Sequence, residues 1–281
     1  MLNFILRGGA LGLASALFGI LLLLAFVLTH QMSWKVPSIY RYDVWKVPSI
    51  YRYDVLLAYA LIIQVFLVYF KLETPREVWI IAIFHIMAMA MELFLTHPKI
   101  GSWYYPEPAI FKIATVPLFA GFMYSAVGSF LARGLRLFNA SFTHLPRLLW
   151  VALLVVLSYV NFFTKFFVPD IRNVLFVASI VLFWKTKVFF QIKHKNKLQP
   201  RDAKQYQCPF LPLLLFLAFL VWLAENIATF ANIWRYPTQA NVWHMVSWGK
   251  LGSWYLLVTL SLLLVLAVMG KRDAKGRWQL A

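Results

Sequence analysis

Two glutamates interrupt stretches of this chain that are otherwise apolar. Glu92 lies in VWIIAIFHIMAMAMELFLT, and Glu225 lies in PFLPLLLFLAFLVWLAENIATF. A carboxylate at membrane depth is energetically unfavourable, so such a residue usually faces an internal cavity and marks a functional site. Burial favours the neutral acid, which suits a proton donor. Glu92 and Glu225 are therefore the candidate catalytic residues for acid–base chemistry. The alternative is that each acid only hydrogen-bonds a neighbouring helix.

The residues that follow the two glutamates match each other. Each acid is followed four residues later by a threonine, Thr96 or Thr229. Residues four apart lie on one helix face, so each hydroxyl is predicted to meet its carboxylate. An aromatic cluster follows in both places, WYYP from Trp103 and WRYP from Trp234.

A second pair of matching segments indicates an internal duplication. KIGSWY at 99–104 matches KLGSWY at 250–255. The two matches predict a single polytopic membrane domain, 1–281, built from two related four-helix halves. The halves are about 1–140 and 141–281, and both acids are expected to face one pocket.

The candidate substrate-binding residues are polar and aromatic side chains near the two acids. His85 lies two turns before Glu92 on the same helix face, roughly 10 Å away along the helix. It could extend a proton path, or it could be an ordinary polar contact. Aromatic side chains at a membrane interface also serve as anchors. The predicted set is His85, Thr96, Trp103, Tyr105, Asn226, Thr229, Trp234, Tyr236 and Trp254.

Composition places the chain among integral membrane proteins. Hydrophobic residues make up 62% of it and charged residues 13%, and the apolar blocks are about as long as a bilayer-spanning helix. The formal charge of +17 is explained by lysines and arginines in short loops, where they set membrane orientation, so no nucleic-acid partner is predicted. The predicted partners are the lipid bilayer and a hydrophobic small-molecule substrate. Cys208 is the single cysteine, and no metal-ligand set or cofactor motif is visible.

The fold class predicted is an all-α integral membrane protein with about eight transmembrane helices. The alternative is seven spans, because the fifth and sixth are separated by a very short segment. Basic residues are richer on the side of both termini, which predicts that both termini are cytoplasmic. The oligomeric state stays open. The spans are about 9–29, 55–71, 77–96, 109–132, 147–166, 171–190, 209–233 and 251–270.

Two loops are unusual. WKVPSIYRYDV occurs twice in tandem, so that residues 34–55 form a duplicated outer loop. One copy is predicted to pack near the outer face while the other bulges out, since loop closure becomes only slightly less favourable with length. The segment 191–208 is a basic cytoplasmic loop, predicted to lie against anionic headgroups.

These motifs carry a family resemblance. AMAMELFLTHPKIGSWYYPEPAIFKIATVPLFAGFMYSAVGSF, together with WLAENIATFANIWRYPTQ and SWGKLGSWYLL, resembles the bacterial multi-pass family catalogued as domain of unknown function 817. That resemblance implies an inner-membrane helical protein without an established activity. A weaker likeness is to membrane carotenoid hydratases and small lycopene cyclases. It implies that Glu92 or Glu225 protonates a polyene and that Trp103, Tyr105, Trp234 and Tyr236 surround the resulting cation.

Two functions are compatible with these residues. The first is a cofactor-independent membrane enzyme that acts on a lipid or isoprenoid through Glu92 and Glu225. The alternative is a proton- or cation-coupled transporter that binds its ion at the same acids. An enzyme is expected to hold an apolar tunnel that ends at both carboxyls. A carrier is expected to hold a polar path to both faces and broken helices.

Overall fold

The computed structural model describes residues 2–32, 50–191, 205–272 and 278–280, and most of these residues are helical. The helices are α1 (Leu2–Ser15), α2 (Leu17–Gln31), α3 (Arg52–Tyr69), α4 (Pro75–Leu95), α5 (Ala120–Leu137), α6 (Leu148–Thr164), α7 (Arg172–Phe183), α8 (Phe210–Phe230) and α9 (Gly249–Met269). Short strands join them, namely β1 (Lys112–Ile113), β2 (Val116–Pro117), β3 (Ser141–Thr143), β4 (Lys187–Gln191), β5 (Gln205–Pro209), β6 (Gly270–Arg272) and β7 (Trp278–Leu280).

Several of the helices have the dimensions of membrane spans. Among the described residues, α3, α4, α8 and α9 are long and apolar enough to cross a bilayer, and α1 with α2 adds a fifth span if the pair is one helix bent by 70°. The helices α6 and α7 are shorter but apolar. This indicates a mainly helical membrane protein. The number of eight spans and the two related halves remain predictions.

Local signals in the sequence fix the ends of the two glutamate-bearing helices. Thr74 begins α4 with a capping box to Glu77, with Pro75 in the first turn, where its missing N–H group is not needed. The helix α8 ends with Asn232 in the left-handed region at φ +58°. The N–H groups of Asn232 and Ile233 bond back into the last turn of α8, which is a Schellman ending.

The helices run between two distinct ends of the bundle. At one end, called the sheet end here, five strands pair in the antiparallel order β5-β4-β3-β7-β6. This sheet joins the ends of α5, α7 and α9 to the beginning of α8. At the opposite end, called the aromatic end, the loops that follow α4 and α8 pair at Tyr104 and Arg235. Glu92 and Glu225 lie in the parts of α4 and α8 nearest the aromatic end.

The predicted span at 109–132 is wrong at its beginning. The helix α5 begins at Ala120, and the residues before it form the two-stranded hairpin of β1 and β2. Pro117 disfavours a helical conformation for Val116. The carboxylate of Asp54 also accepts backbone N–H groups just before this hairpin, so those groups are satisfied without a helix.

The predicted span at 171–190 is wrong at its end. The helix α7 stops at Phe183, and the chain continues as β4 from Lys187. Valine and two phenylalanines follow Lys187, and such residues fit a pleated sheet. Pairing with β3 and β5 gives this segment backbone partners that its sequence period alone does not reveal.

The second copy of the repeated segment is part of the fold from Ile50 onward. Arg52 forms an ion pair with Glu107 at 2.7 Å. The hydroxyl of Tyr53 donates a hydrogen bond of 2.9 Å to the carbonyl oxygen of Ile233. The first copy lies outside the described residues, as does the core of the basic loop, 192–204.

Deleting Trp45–Val55 should leave folding intact. Because the two copies are identical, the shortened chain still carries the whole segment directly before Leu56. The residues equivalent to Arg52 and Tyr53 therefore keep their places. Expression level and a single size-exclusion peak in detergent are the measurements. Loss of the folded peak would mean that both copies are required.

The contact between α4 and α5 requires a glycine. A Cβ atom at Gly121 would lie 2.5 Å from the His85 ring. Gly121→Ala should therefore lower the unfolding free energy by about 1–3 kcal/mol, and adding His85→Ala should recover part of that loss. Gly252→Ala is the control, because nothing lies within 4 Å of that position. Denaturant titration in mixed micelles measures the unfolding free energy of all three variants. Equal stability of Gly121→Ala and Gly252→Ala would contradict the clash.

Candidate active site

A cavity of about 850 Å³ lies between α1, α2, α5, α8 and α9 and reaches the end of α4. Glu92 and Glu225 both line it, and they are only 1% and 3% exposed. Its volume falls within the roughly 300–1,000 Å³ of small-molecule sites. Most of the wall is apolar. The two acids thus face one shared cavity.

Three side chains donate hydrogen bonds to the Glu92 carboxyl. Trp103 Nε1 and the Tyr105 hydroxyl donate to one oxygen, at 2.8 and 2.9 Å. The Tyr124 hydroxyl donates to the other oxygen at 2.9 Å. Trp103 and Tyr105 come from the loop after α4, and Tyr124 comes from α5. The carboxyl group is therefore held in place from two sides.

The Glu225 carboxyl has a similar environment. Trp254 Nε1 donates to one oxygen at 2.7 Å, and the Tyr236 hydroxyl donates to the other. Tyr236 comes from the loop after α8, whereas Trp254 lies in the second turn of α9. Each acid thus binds one indole N–H and at least one phenol.

The donors occupy matching positions in the repeated motifs. Trp103 and Trp254 are the tryptophans of KIGSWY and KLGSWY, and each donates to a glutamate. Tyr105 and Tyr236 are the tyrosines before proline in WYYP and WRYP, and they do the same. The motifs found in the sequence therefore converge on the two carboxyls.

The two aromatic loops are joined to each other. Tyr104 and Arg235 exchange both backbone hydrogen bonds, at 3.0 and 2.9 Å. The rings of Trp103 and Tyr236 meet edge to face with centroids 6.1 Å apart. This pairing brings residues more than 130 positions apart to the same end of the cavity.

A lysine lies beside these rings. Lys250 Nζ is 4.3 Å from the Tyr236 ring centroid and 5.7 Å from that of Trp103, which are cation–π distances. Lys250 also lines the cavity. The ammonium group therefore adds positive charge next to Glu225.

The loop tyrosines remain hydrogen-bond donors at neutral pH. Burial, followed by the Glu92 carboxylate, raises the pKa of Tyr105 well above its ordinary value. Burial and then Glu225 do the same to the pKa of Tyr236. For the glutamates, donors favour the ionised form while apolar burial favours the neutral acid. Acids of this kind can hold or release a proton at a fixed position.

The predicted substrate-binding residues divide into three groups by their position relative to the cavity. Trp103, Trp234, Tyr236 and Trp254 line the cavity. Tyr105 supports Glu92 without lining it. Outside the cavity wall lie His85, Thr96, Asn226 and Thr229.

The expected meeting of threonine hydroxyls with the carboxyls is wrong. Thr96 donates to the backbone oxygen of Glu92 at 2.8 Å, and Thr229 donates to the backbone oxygen of Asn226 at 3.1 Å. Short hydroxyl side chains on helices commonly bond to the preceding turn in this way. Asn226 instead accepts the backbone N–H of Val246 at 2.8 Å, which ties the loop before α9 to α8.

His85 lies away from both acids. Its ring packs against Gly121 and against the edge of Phe122, with centroids 4.7 Å apart. Its role is therefore in the contact between α4 and α5.

Sequence reasoning missed three residues that the cavity brings together. Tyr124 is a lone tyrosine in an apolar helix, and no spacing relates it to Glu92. Lys250 opens the KLGSWY motif, so its repetition was a usable signal. Lys165 also lines the cavity, although a lysine at the end of a membrane helix ordinarily extends to the headgroups.

The residues of the cavity suit acid–base chemistry on an apolar molecule. Within the described ranges, no group of three or more His, Cys, Asp or Glu side chains is placed to hold a metal ion. The two carboxyls are placed to exchange protons, and their phenol partners hold them in position.

Comparisons with known proteins identify relatives without a stated activity. A sequence model of the family described as "Protein of unknown function (DUF817)" matches residues 5–262. "Uncharacterized protein YoaT" from Bacillus subtilis (strain 168) is 38% identical over 210 residues, which cover 75% of this chain and 75% of that protein. No solved structure matches.

Proposed function

The chain belongs to the DUF817 family, whose function is unknown, and we propose that it is a membrane enzyme that acts on a lipid or isoprenoid. Glu92 and Glu225 are its catalytic acid and base, and no cofactor takes part. One observation carries this proposal: both carboxyls line the same largely apolar cavity of about 850 Å³. The chemistry of such a site would be proton transfer away from bulk water.

The position of the cavity supports a substrate from the bilayer. Leu13 of α1 and Phe216 of α8 line the cavity and are 66% and 56% exposed. An apolar chain could therefore pass between these helices without crossing water. Its reactive part would then meet the acids at the aromatic end.

Two acids in one apolar cavity support a reaction at a carbon–carbon double bond. A neutral glutamate would give its proton to one carbon, and the π electrons would form the new C–H bond. The adjacent carbon would become a cation, stabilised by the faces of Trp103, Trp234 and Tyr236. The other glutamate would remove a proton from a neighbouring carbon, which moves the double bond. In the alternative course, a water molecule adds to the cation, and this second glutamate removes a proton from that water molecule. In either course the first glutamate loses one proton and the second glutamate gains one.

In the proposed orientation, both termini and the sheet end lie on the cytoplasmic side of a bacterial inner membrane. Counting α1 with α2 as one bent span gives eight helical passes, arranged as two related halves of four. Exposed Lys187 and Lys271 at the sheet end agree with the excess of positive charge expected on the cytoplasmic side. Cysteine labelling of single-cysteine variants from either face tests this orientation.

A proton- or cation-coupled transporter is the second candidate. The 70° bend between α1 and α2 favours it, because broken helices are typical of carriers. A carrier also needs a polar path to both faces. Towards the sheet end the cavity wall is instead apolar, with Phe138, Phe142 and Val188, so the enzyme is preferred.

The deciding experiment compares lipid and pigment extracts from native host cells with and without the gene. Mass spectrometry should show one lipid class depleted and a related class accumulated in the deletion strain. Re-expression of the unaltered protein should restore the profile. A lipid and pigment profile that is the same with and without the gene would contradict the enzyme proposal.

A further inference from the structure

Two lysines face the cavity from helices that are far apart in the chain. Lys165 directly follows α6, and Lys250 lies in the first turn of α9. Both line the cavity together with Glu92 and Glu225. These four are the charged residues of the wall among the described residues, and all lie at the aromatic end. Charged groups are thus concentrated at one end of an otherwise apolar cavity.

Among the residues that the structure describes, no carboxylate forms an ion pair with either lysine. The ion pairs found among the described residues involve Arg52, Arg136 and Arg172 as cations. Lys165 Nζ instead lies over the Phe166 ring, 5.0 Å from its centroid, and Lys250 lies over Tyr236. Aromatic faces hold a cation while leaving its N–H groups free to bind an anion.

A third cation, Arg172, lies behind this end of the cavity wall. Arg172 donates to the Ser253 hydroxyl at 2.8 Å, and Ser253 lines the cavity. Its other terminal nitrogen is paired with Asp170 at 2.8 Å. Arg172 thus lies just behind the wall, where it orients a hydroxyl beside the two lysines.

The cavity therefore has the polarity of an amphiphile. The wall far from the lysines is built from glycines of α1 and from apolar side chains such as Phe138 and Phe190. That end suits a hydrocarbon chain, because apolar surfaces are driven together in water. The lysine end suits an anionic group, since ammonium groups bind phosphate and carboxylate strongly.

We propose that the natural ligand is a single-chain amphiphile whose phosphate or carboxylate head group is bound by Lys165 and Lys250. Its hydrocarbon chain fills the cavity towards the sheet end. This inference rests on the proposed function in that it names the substrate class of the same site. The head group holds the chain in one direction and one register, so the same carbons always lie beside Glu92 and Glu225.

The test measures binding by the purified full-length protein in a nonionic detergent. Native mass spectrometry gives the fraction of protein with one bound ligand across a concentration series. The probes are hexadecyl phosphate, palmitate and hexadecanol, which share a chain length, and inorganic phosphate alone. At least one anionic amphiphile should bind about tenfold more tightly than hexadecanol, in line with charge-assisted hydrogen bonds.

Variants assign that preference to the lysines. Lys165→Gln combined with Lys250→Gln should lose the preference for the anionic probe and leave hexadecanol binding unchanged. Replacing both lysines with arginine should retain most of it. Lys99→Gln is the matched control, because Lys99 is an exposed lysine at the aromatic end that does not line the cavity. If the double variant does not fold, each single variant carries the same test.

Two results would overturn the proposal. One is equal affinity for hexadecanol and both anionic amphiphiles. The other is inorganic phosphate binding as tightly as hexadecyl phosphate, which would mean that the chain contributes nothing. Failure here is distinguishable from failure of the proposed enzyme, because binding is read without turnover. An anionic ligand that binds but is never altered would contradict the enzyme and leave this inference intact.

Discussion

Replacing Glu92 or Glu225 with glutamine should reduce conversion of the proposed lipid substrate by about 10²- to 10⁴-fold, the usual contribution of a positioned acid or base. Glutamine keeps the size of the side chain, and its amide oxygen can still accept the indole hydrogen bond. Its amide nitrogen can donate to the phenol oxygen on the other side. It cannot donate or accept the transferred proton. Insertion and folding should therefore persist while activity is lost. Conversion is measured by mass spectrometry of lipids after expression of each variant in the deletion strain.

Glu73→Gln is the matched control for these two variants. Glu73 is a buried glutamate, 2% exposed, that accepts hydrogen bonds from Ser129 and Gln64 and does not line the cavity. Burial raises the pKa of Glu73 above its ordinary value, so the neutral glutamine should be tolerated there. Full activity in both Glu92→Gln and Glu225→Gln would show that neither carboxyl takes part in the chemistry.

Replacing Arg52 with methionine should lower the unfolding free energy by about 3–5 kcal/mol, the range for breaking one side of a buried ion pair. Arg52 is 2% exposed. Its guanidinium pairs with Glu107 at 2.7 Å and donates to Thr29 Oγ1 at 2.9 Å. It also donates to the backbone oxygens of Phe26 and Ala231, both at 2.8 Å. Methionine fills similar space but removes the ion pair with Glu107 and the hydrogen bonds that the guanidinium donates.

This variant also probes how the site is supported. Ala231 directly follows α8, so Arg52 ties α2 and α3 to the end of the helix that carries Glu225. The matched control is Arg172→Met, whose ion pair with Asp170 is 28% and 36% exposed and should contribute about 1 kcal/mol or less. Denaturant titration in mixed micelles gives both values. Equal stability of the two variants would contradict the supporting role of Arg52.

The helices were predictable because long apolar runs leave few alternatives in a bilayer. The capping box at Thr74 and the ending at Asn232 are short-range signals that the sequence contains in full. The errors fell where a segment gained partners from elsewhere in the chain. β1 and β2 replaced the beginning of one predicted span, and β4 replaced the end of another. The periodicity of a segment does not show that a distant strand will pair with it, or that the Asp54 carboxylate will accept its backbone N–H groups.

The site was predictable to the extent that its parts were repeated. Matching tryptophans and tyrosines around two glutamates indicated that both sets belong to one site. Trp103 and Trp254, which occupy matching positions, each donate a hydrogen bond to one of the glutamates. The threonine prediction failed because a hydroxyl four residues after a glutamate reaches the nearer backbone carbonyl first. Tyr124 reaches Glu92 only because α5 packs beside α4, which no spacing in the sequence records.

By itself, the sequence determined that this is a membrane protein of the DUF817 family and which acids are energetically out of place, because hydrophobicity and local motifs are written in consecutive residues. Only the tertiary structure decided what those acids face. Pairing of Tyr104 with Arg235 and packing of α5, α8 and α9 enclose one cavity with Lys165 and Lys250 at its charged end. Such an enclosure depends on long-range contacts between side chains, which is why it appears only once the helices have packed.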